Sequence, residues 1–319
     1  MTWRPTASRS TLARRGDILA TIRAHFAAAG VLEVDTPLLG AAGAGDPAIA
    51  SCAVDVGGRV RYLQTSPESA MKRLLAAGSG DIYQLGKAFR REESSPIHRC
   101  EFTLLEWYRL GFDHHALMDD VATLVARVLP EVRLAREPLS ALCARAGAPD
   151  PHRATTGELA AWARALGLQM TPQDAADRSL LLDLLLSEVV RRAWPTGGGG
   201  FVYDFPVEQA AYARIRPGVP ALASRFELVI DGIELANGWH ELADVDEQQA
   251  RYREEERARQ ARGLPSMPPD PALLAALAAG LPDCAGVAIG VDRLVMLACA
   301  AHDLDDVLAF GRDQASETT

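Results

Sequence analysis

Three stretches of this 319-residue chain combine residue types that can do chemistry. The first runs Tyr83-Gln-Leu-Gly-Lys-Ala-Phe-Arg-Arg-Glu92 and resumes at His98-Arg-Cys-Glu-Phe-Thr-Leu-Leu-Glu-Trp-Tyr108. In extended chain the side chains repeat every two residues, so Arg90 and Glu92 share a face, as do Glu106 and Tyr108. A loop of Glu, Ser and Pro at 93–96 separates the two runs, a pattern that would equally suit a salt-bridged surface hairpin. The second stretch, Phe226-Glu-Leu-Val-Ile-Asp-Gly-Ile-Glu-Leu-Ala-Asn-Gly-Trp-His-Glu241, lays Glu227, Glu234, Asn237 and Glu241 along a hairpin. Acidic residues interleaved with strand formers belong either on a solvated face or around a cation. The third, Gly286-Val-Ala-Ile-Gly-Val-Asp-Arg-Leu-Val-Met296, brings a glycine-rich approach to a helix start with Arg293 in its first turn, which suits an anionic ligand. His25, His114 and His115 stand outside these stretches and read as ordinary surface or core residues.

The elements that must position these residues are legible from periodicity and punctuation. Ile18, Ile22 and Phe26 mark a helix that ends near Gly30. Short strands are expected at 31–34, 53–56, 60–64, 81–85 and 101–108. The Gly57-Gly58 turn makes the pair around it antiparallel, which argues against a βαβ nucleotide fold. Asp113 caps a helix that stops at Pro130. Thr155-x-x-Glu158 opens another that ends at Gly167, and 180–194 forms a third, stopped by Pro195 and the glycines at 197–200. Strands return at 201–205 and 226–230, turned by Asp231-Gly232 into 233–236. Residues 246–262 read as an exposed, charge-laced helix, Pro271 starts another that ends at Gly280, and the last begins near Gly290. The expected class is α+β, an antiparallel sheet flanked by helices, over one domain spanning 1–319 with a helical insertion at about 130–195.

Composition narrows the function classes. No apolar stretch approaches the roughly 20 residues needed to cross a bilayer, and no signal-peptide pattern follows Met1. Five cysteines without CxxC spacing argue against zinc knuckles or a disulfide framework and fit a reducing, cytoplasmic setting. A net charge of −9 disfavours long-range attraction of a polyanion.

Taken together, the three stretches resemble the motifs of class II aminoacyl-tRNA synthetases, specifically the lysyl branch. Gly30-Val-Leu-Glu-Val-Asp-Thr-Pro37 is similar to the end of motif 1, with Val31 where an aromatic residue is usual. Phe89-Arg-Arg-Glu92 resembles motif 2 and Gly290-Val-Asp-Arg293 motif 3. Glu234-Leu-Ala-Asn-Gly-Trp-His-Glu241 is similar to a segment typical of lysyl enzymes. The resemblance implies ATP and Mg²⁺ as cofactors and an aminoacyl-adenylate as intermediate. Arg90 and Arg293 become the catalytic arginines, Arg90 on the α-phosphate, with Arg293 and His98 on the β/γ end. Phe102 would stack on adenine, with Glu92 near its amino group, while Arg91, Arg99, Leu235 and Gly290 complete the ATP site. Glu227 and Glu234 would ligate the metal. For a lysine-like substrate, Ser66, Pro67, Glu68, Glu106, Tyr108, Asn237, Glu241 and Ala288 form the matching set. Glu68 and Glu106 would face its backbone amine, and Tyr108 and Glu241 its terminal ammonium.

Two departures redirect the expectation. Motif 1 ends at Pro37, so the anticodon-binding barrel of lysyl-tRNA synthetases has no counterpart before it, and stable tRNA binding is not expected. Ala288 stands where a pocket glycine is usual, and its methyl disfavours a substrate that needs the space. Both departures resemble the truncated synthetase paralogues that attach lysine, preferably (R)-β-lysine, to translation elongation factor P. A two-fold homodimer is the assembly this implies.

Overall fold

A computed structural model describes residues 3–91, 94–194 and 197–312. Ser8 accepts the Thr11 N–H and opens α1 (Arg9–Ala28), whose Ile18, Ile22 and Phe26 are buried at the expected helical spacing. After β1 (Leu32–Glu33) come β2 (Leu39–Gly40), β3 (Ala53–Val56) and β4 (Arg59–Leu63), a small sheet in the order β2–β4–β3. Gly57 and Gly58, both at positive φ, make the β3–β4 turn. Then follow α2 (Glu68–Ala76), β5 (Ile82–Phe89) and β6 (Glu101–Leu110). β5 and β6 pair antiparallel from Ile82↔Tyr108 to Phe89↔Glu101, while β1 lies parallel to β5. Phe26 stacks on Tyr83 at 4.3 Å and meets Trp107 edge-on at 5.3 Å, so α1 closes one face of this pair.

The chain folds into two compact units. The elements so far belong to one, which runs to Gly111, includes Arg127–Leu129 and resumes at Ala243. The other holds α3 (His114–Val128) through Ala126, β7 (Leu134–Pro138), α4 (Leu139–Arg145), α5 (Thr156–Ala165), α6 (Arg178–Ala193), β8 (Gly199–Phe205), β9 (Ile215–Arg216), β10 (Leu222–Ile230) and β11 (Ile233–His240). Its strands run in the order β11–β10–β8–β7, with β9 added at the start of β10. β7 is parallel to β8 and the other pairs are antiparallel. The capping box at Thr155 and Glu158 forms as expected. Leu142, Leu182, Leu185, Val189, Val202 and Phe205 are fully buried in its core. The glycines at 199 and 200 do more than stop a helix. A Cβ on either would stand 2.5 Å from a carbonyl oxygen, of Val229 and Ala135 respectively, so only glycine lets the strands close.

Back in the first unit come α7 (Val245–Ala261), α8 (Pro271–Gly280), β12 (Cys284–Gly290) and α9 (Val291–Ala298). β12 pairs antiparallel with the inner edge of β6, from Cys284↔Leu110 to Gly290↔Leu104. α7 is not exposed all round, as its polarity led us to expect. Gln248 and Arg259 are buried, Arg259 donating from Nε to the Pro265 carbonyl at 2.9 Å. Long charged side chains can cover apolar ground when their heads find a carbonyl. The class is α+β, largely antiparallel strands flanked by helices.

Candidate active site

The alternation of strands β5, β6 and β12 sorts their side chains into two unlike faces. Tyr83 and Leu85, Leu105 and Trp107, and Val287 and Ile289 share the face that α1 closes. The other face carries Gln84, Gly86 and Ala88, then Phe102, Glu106 and Tyr108, then Gly286, Ala288 and Gly290. Beyond the end where Ile82, Tyr108 and Cys284 pack on Met71, Leu75 and Leu273, its outer strands carry Gly86, Ala88, Gly286, Ala288 and Gly290, all small residues. Glu106 lies opposite Gln84 on one side and Ala288 on the other, so the three form one row. Glu106 and Tyr108 are buried, and the Tyr108 hydroxyl donates to Glu106 Oε1 at 2.8 Å. A carboxylate held in such a place favours a cationic partner.

Arg90 follows β5 on the same face, its N–H bonded to the Cys100 carbonyl at 2.9 Å. Its guanidinium lies 5.2 Å from the Phe102 ring centroid. The Arg91 N–H is fixed by the Ala50 carbonyl at 2.7 Å. Glu92 lies outside the described residues. A tight turn joins Ser95 Oγ to His98 Nδ1 at 2.7 Å, and Arg293, in the first turn of α9, donates from Nε to the Ile97 carbonyl at 3.2 Å. Arg293 thus reaches the turn that carries His98, with Gly290 beneath the arginine stem.

Arg99 has different business. Its guanidinium is tied to Asp303 Oδ1 at 2.7 Å, to Asp305, and to the Ser95 and His98 carbonyls. Burial opposes charge on Asp305, yet the Arg99 guanidinium and the Arg312 N–H hold its carboxyl below the usual range. The arginine thus pins the turn that carries His98. Asp292 is a further positioning residue that sequence reasoning passed over. Buried beside Arg293, it accepts the Thr103 N–H at 2.8 Å and pairs with Arg15 at 2.7 Å, joining α1, β6 and α9. Glu68 at the first turn of α2 is paired with buried Lys72 at 2.6 Å, and the Ser66 hydroxyl accepts its N–H at 3.4 Å after Pro67.

In the second unit, a bulge does the positioning. Register shifts so that Leu228 opposes Ala236 while Val229 opposes Glu234, leaving Leu235 as the extra residue. Glu234 and Asn237, three apart and expected on opposite faces of a regular strand, thereby join Glu227 on one face. Asn237 Nδ2 donates to Glu227 at 3.4 Å and to Glu234 at 3.3 Å. Arg225 donates to Glu227 at 2.5 Å and to the Gln209 carbonyl at 2.6 Å, and rests on the Phe205 ring. Burial first, then the neighbouring Glu234 charge, pushes Glu227 up to about 8 despite Arg225. A divalent cation would relieve that repulsion. Among the described residues no three His, Cys, Asp or Glu gather into a metal cage. A two-carboxylate site suits Mg²⁺, which is commonly held by one or two carboxylates and completed by phosphates. Further along β11, Glu241 is buried and accepts the Trp239 indole N–H at 3.0 Å.

The comparisons with known proteins agree with this architecture. The family model of tRNA synthetases class II (D, K and N) matches residues 1–314, so the chain belongs to that family. Among curated relatives it is 46% identical to an elongation factor P–(R)-β-lysine ligase of Vibrio cholerae, covering 97% of each chain. It is 44% identical to the same-named ligase of Photobacterium profundum, over 98% of this chain and 99% of that one. The Yersinia enterocolitica ligase is 45% identical, covering 97% of each chain.

Proposed function

We propose that this protein is an ATP-dependent ligase that activates lysine, preferably (R)-β-lysine, and transfers it to a lysine side chain of translation elongation factor P. The observation that carries the reading is the open face of β5, β6 and β12, where buried Glu106 stands between Gln84 and the methyl of Ala288. That floor fits an amino acid with a cationic amine near its carboxylate, and full-length likeness to elongation factor P–(R)-β-lysine ligases supports the choice of acceptor.

In the first step a substrate carboxylate oxygen attacks the α-phosphorus of ATP, the bond to the β-phosphate breaks, and pyrophosphate leaves. Arg90 stabilises the charge that grows on the α-phosphate, while Arg293 and His98 hold the departing end. Phe102 stacks on adenine, a contact commonly worth about 1–3 kcal/mol. Arg91, Leu235 and Gly290 line the nucleotide, with Glu92 at the adenine amino group. Arg99 contributes through its backbone, since its side chain serves Asp303 and Asp305. Glu227 and Glu234, oriented by Asn237, would hold Mg²⁺, which when bound neutralises phosphate charge. Glu106 takes the amine near the carboxylate, with Ser66, Pro67 and Glu68 beside the same substrate, and Tyr108 and Glu241 serve the terminal ammonium. In the second step the acceptor's ε-amine, having lost a proton, attacks the adenylate carbonyl. An amide forms and AMP leaves. Two-fold pairing of chains is part of this reading.

Mass spectrometry of elongation factor P after incubation with the protein, ATP and each lysine isomer tests the reading. One added lysyl group, most with (R)-β-lysine, is expected. An unmodified factor, with label instead on tRNA, would overturn it.

A further inference from the structure

Gln84 is 3% exposed, and among the described residues its side-chain oxygen has no hydrogen-bond partner. Buried polar atoms without partners are rare, because each loses hydration and regains nothing. Its setting shows what the atom faces. Register places Gln84 opposite Glu106, which in turn faces Ala288, so the amide belongs to the central row of the open face. Two residues on, Gly86 has no side chain, and a Cβ there would stand 3.3 Å from the Gln84 amide nitrogen. The glutamine lies in the space that Gly86 leaves.

We propose that Gln84 is a substrate-contact and specificity residue of the amino-acid site, its amide oxygen accepting a hydrogen bond from the ammonium nearest the reacting carboxylate. This rests on the lysine-activating reading above. An ammonium offers three N–H donors, one of which Glu106 can take and a second Gln84. A glutamine supplies that second acceptor without adding another negative charge beside Glu106. An amino acid without an amine at this end leaves the oxygen buried and unpaired, so the residue selects for diamino substrates.

The test is ATP–pyrophosphate exchange with L-lysine and (R)-β-lysine. It is joined by competition with 6-aminohexanoic acid, which keeps the terminal amine and lacks the inner one. Gln84→Met keeps length and removes the acceptor. It is expected to raise KM for both lysine isomers about ten- to a hundredfold, the scale of a hydrogen bond to a charged group. KM for ATP and the Ki of 6-aminohexanoic acid should stay within about twofold, well under the tenfold that 1.4 kcal/mol represents. A general loosening of the sheet would shift all of these together, and that result, or an unchanged lysine KM, overturns the proposal. Should Gln84→Met fail to fold, Gln84→Glu retains an oxygen in the same place. It should still favour lysine over 6-aminohexanoic acid, and loss of that preference also overturns the proposal. Exchange absent from the parent protein with every lysine isomer would instead sink the underlying reading.

Discussion

Removing the Asp292 carboxylate should cost far more stability than its small size implies. The side chain is 3% exposed, accepts the Thr103 N–H at 2.8 Å and pairs with Arg15 at 2.7 Å, whose own side chain is 15% exposed. Asp292→Ala leaves a guanidinium that is mostly out of water with the Thr103 hydroxyl but without its carboxylate, and takes the acceptor from a backbone donor inside the sheet. Breaking a buried pair from one side typically costs about 3–5 kcal/mol, because a charge is left uncompensated. At about 2–4 °C per kcal/mol for domains of a few hundred residues, the melting temperature should fall by roughly 6–20 °C. Asp292→Asn keeps an oxygen for the Thr103 N–H and loses only the charge, so it should fall between the parent and Asp292→Ala. The contrast is Lys87–Glu101, a 3.1 Å pair whose side chains are 42% and 56% exposed. Lys87→Ala should change stability by about 0–1 kcal/mol, as exposed pairs do. Thermal melts by circular dichroism on the four proteins at one concentration measure the series. Equal shifts for Asp292→Ala and Lys87→Ala would refute the reasoning, since the buried pair with its backbone donor should have cost far more than the exposed one.

Three further outcomes follow from the site. Arg90→Ala and Arg293→Ala should each lower pyrophosphate exchange by at least about a hundredfold, the scale of losing a charge-stabilising donor, with melting curves close to the parent's. Near-normal exchange in either would remove its phosphate role. Chelation of Mg²⁺ should abolish exchange in the parent. Glu234→Gln should raise the Mg²⁺ concentration needed for half-maximal rate, which a titration reads directly. Ala288→Gly should shift the kcat/KM ratio toward L-lysine over (R)-β-lysine by roughly tenfold, the usual scale for one methyl in a pocket. An unchanged ratio would place the selectivity elsewhere.

The parts of this fold that were legible beforehand are those set by neighbours in sequence. The Gly57-Gly58 hairpin, the Thr155 capping box, the Asp270-Pro271 helix start and the period of α1 all depend on residues within a turn of one another. What escaped depends on distant partners. Residues 246–262 looked exposed because nothing local tells that Arg259 will find the Pro265 carbonyl and a buried setting. The resemblance placed Arg99 at the nucleotide, and nothing local showed that its guanidinium would be held by Asp303 and Asp305, some two hundred residues away. The bulge at Leu235 is the clearest case. Strict alternation puts Glu234 and Asn237 on opposite faces, and only the pairing of β10 with β11 shows that one extra residue brings them together.

Gln84 escaped for a different reason, and it shows why the open face is more than an absence of side chains. Read alone, it is an ordinary polar residue on a strand, since the meaning of its amide lies in Glu106 across one strand and Ala288 across the next. The sequence did hold a clue in the alternation itself. Gly86-x-Ala88 and Gly286-x-Ala288-x-Gly290 repeat small residues at period two, between Leu85, Lys87, Val287 and Ile289 on the other face. A strand buried on both faces would fill both with bulk. Away from α1 these strands put bulk only at one end, where Ile82, Tyr108 and Cys284 pack on Met71, Leu75 and Leu273, and the small positions beyond them are where the proposed substrate would lie. On the proposed reading, substrate choice on this face would be set by which small positions carry a methyl and which polar atoms are left unpaired beneath it. Ala288 and Gln84 are the two places where those conditions meet beside one carboxylate.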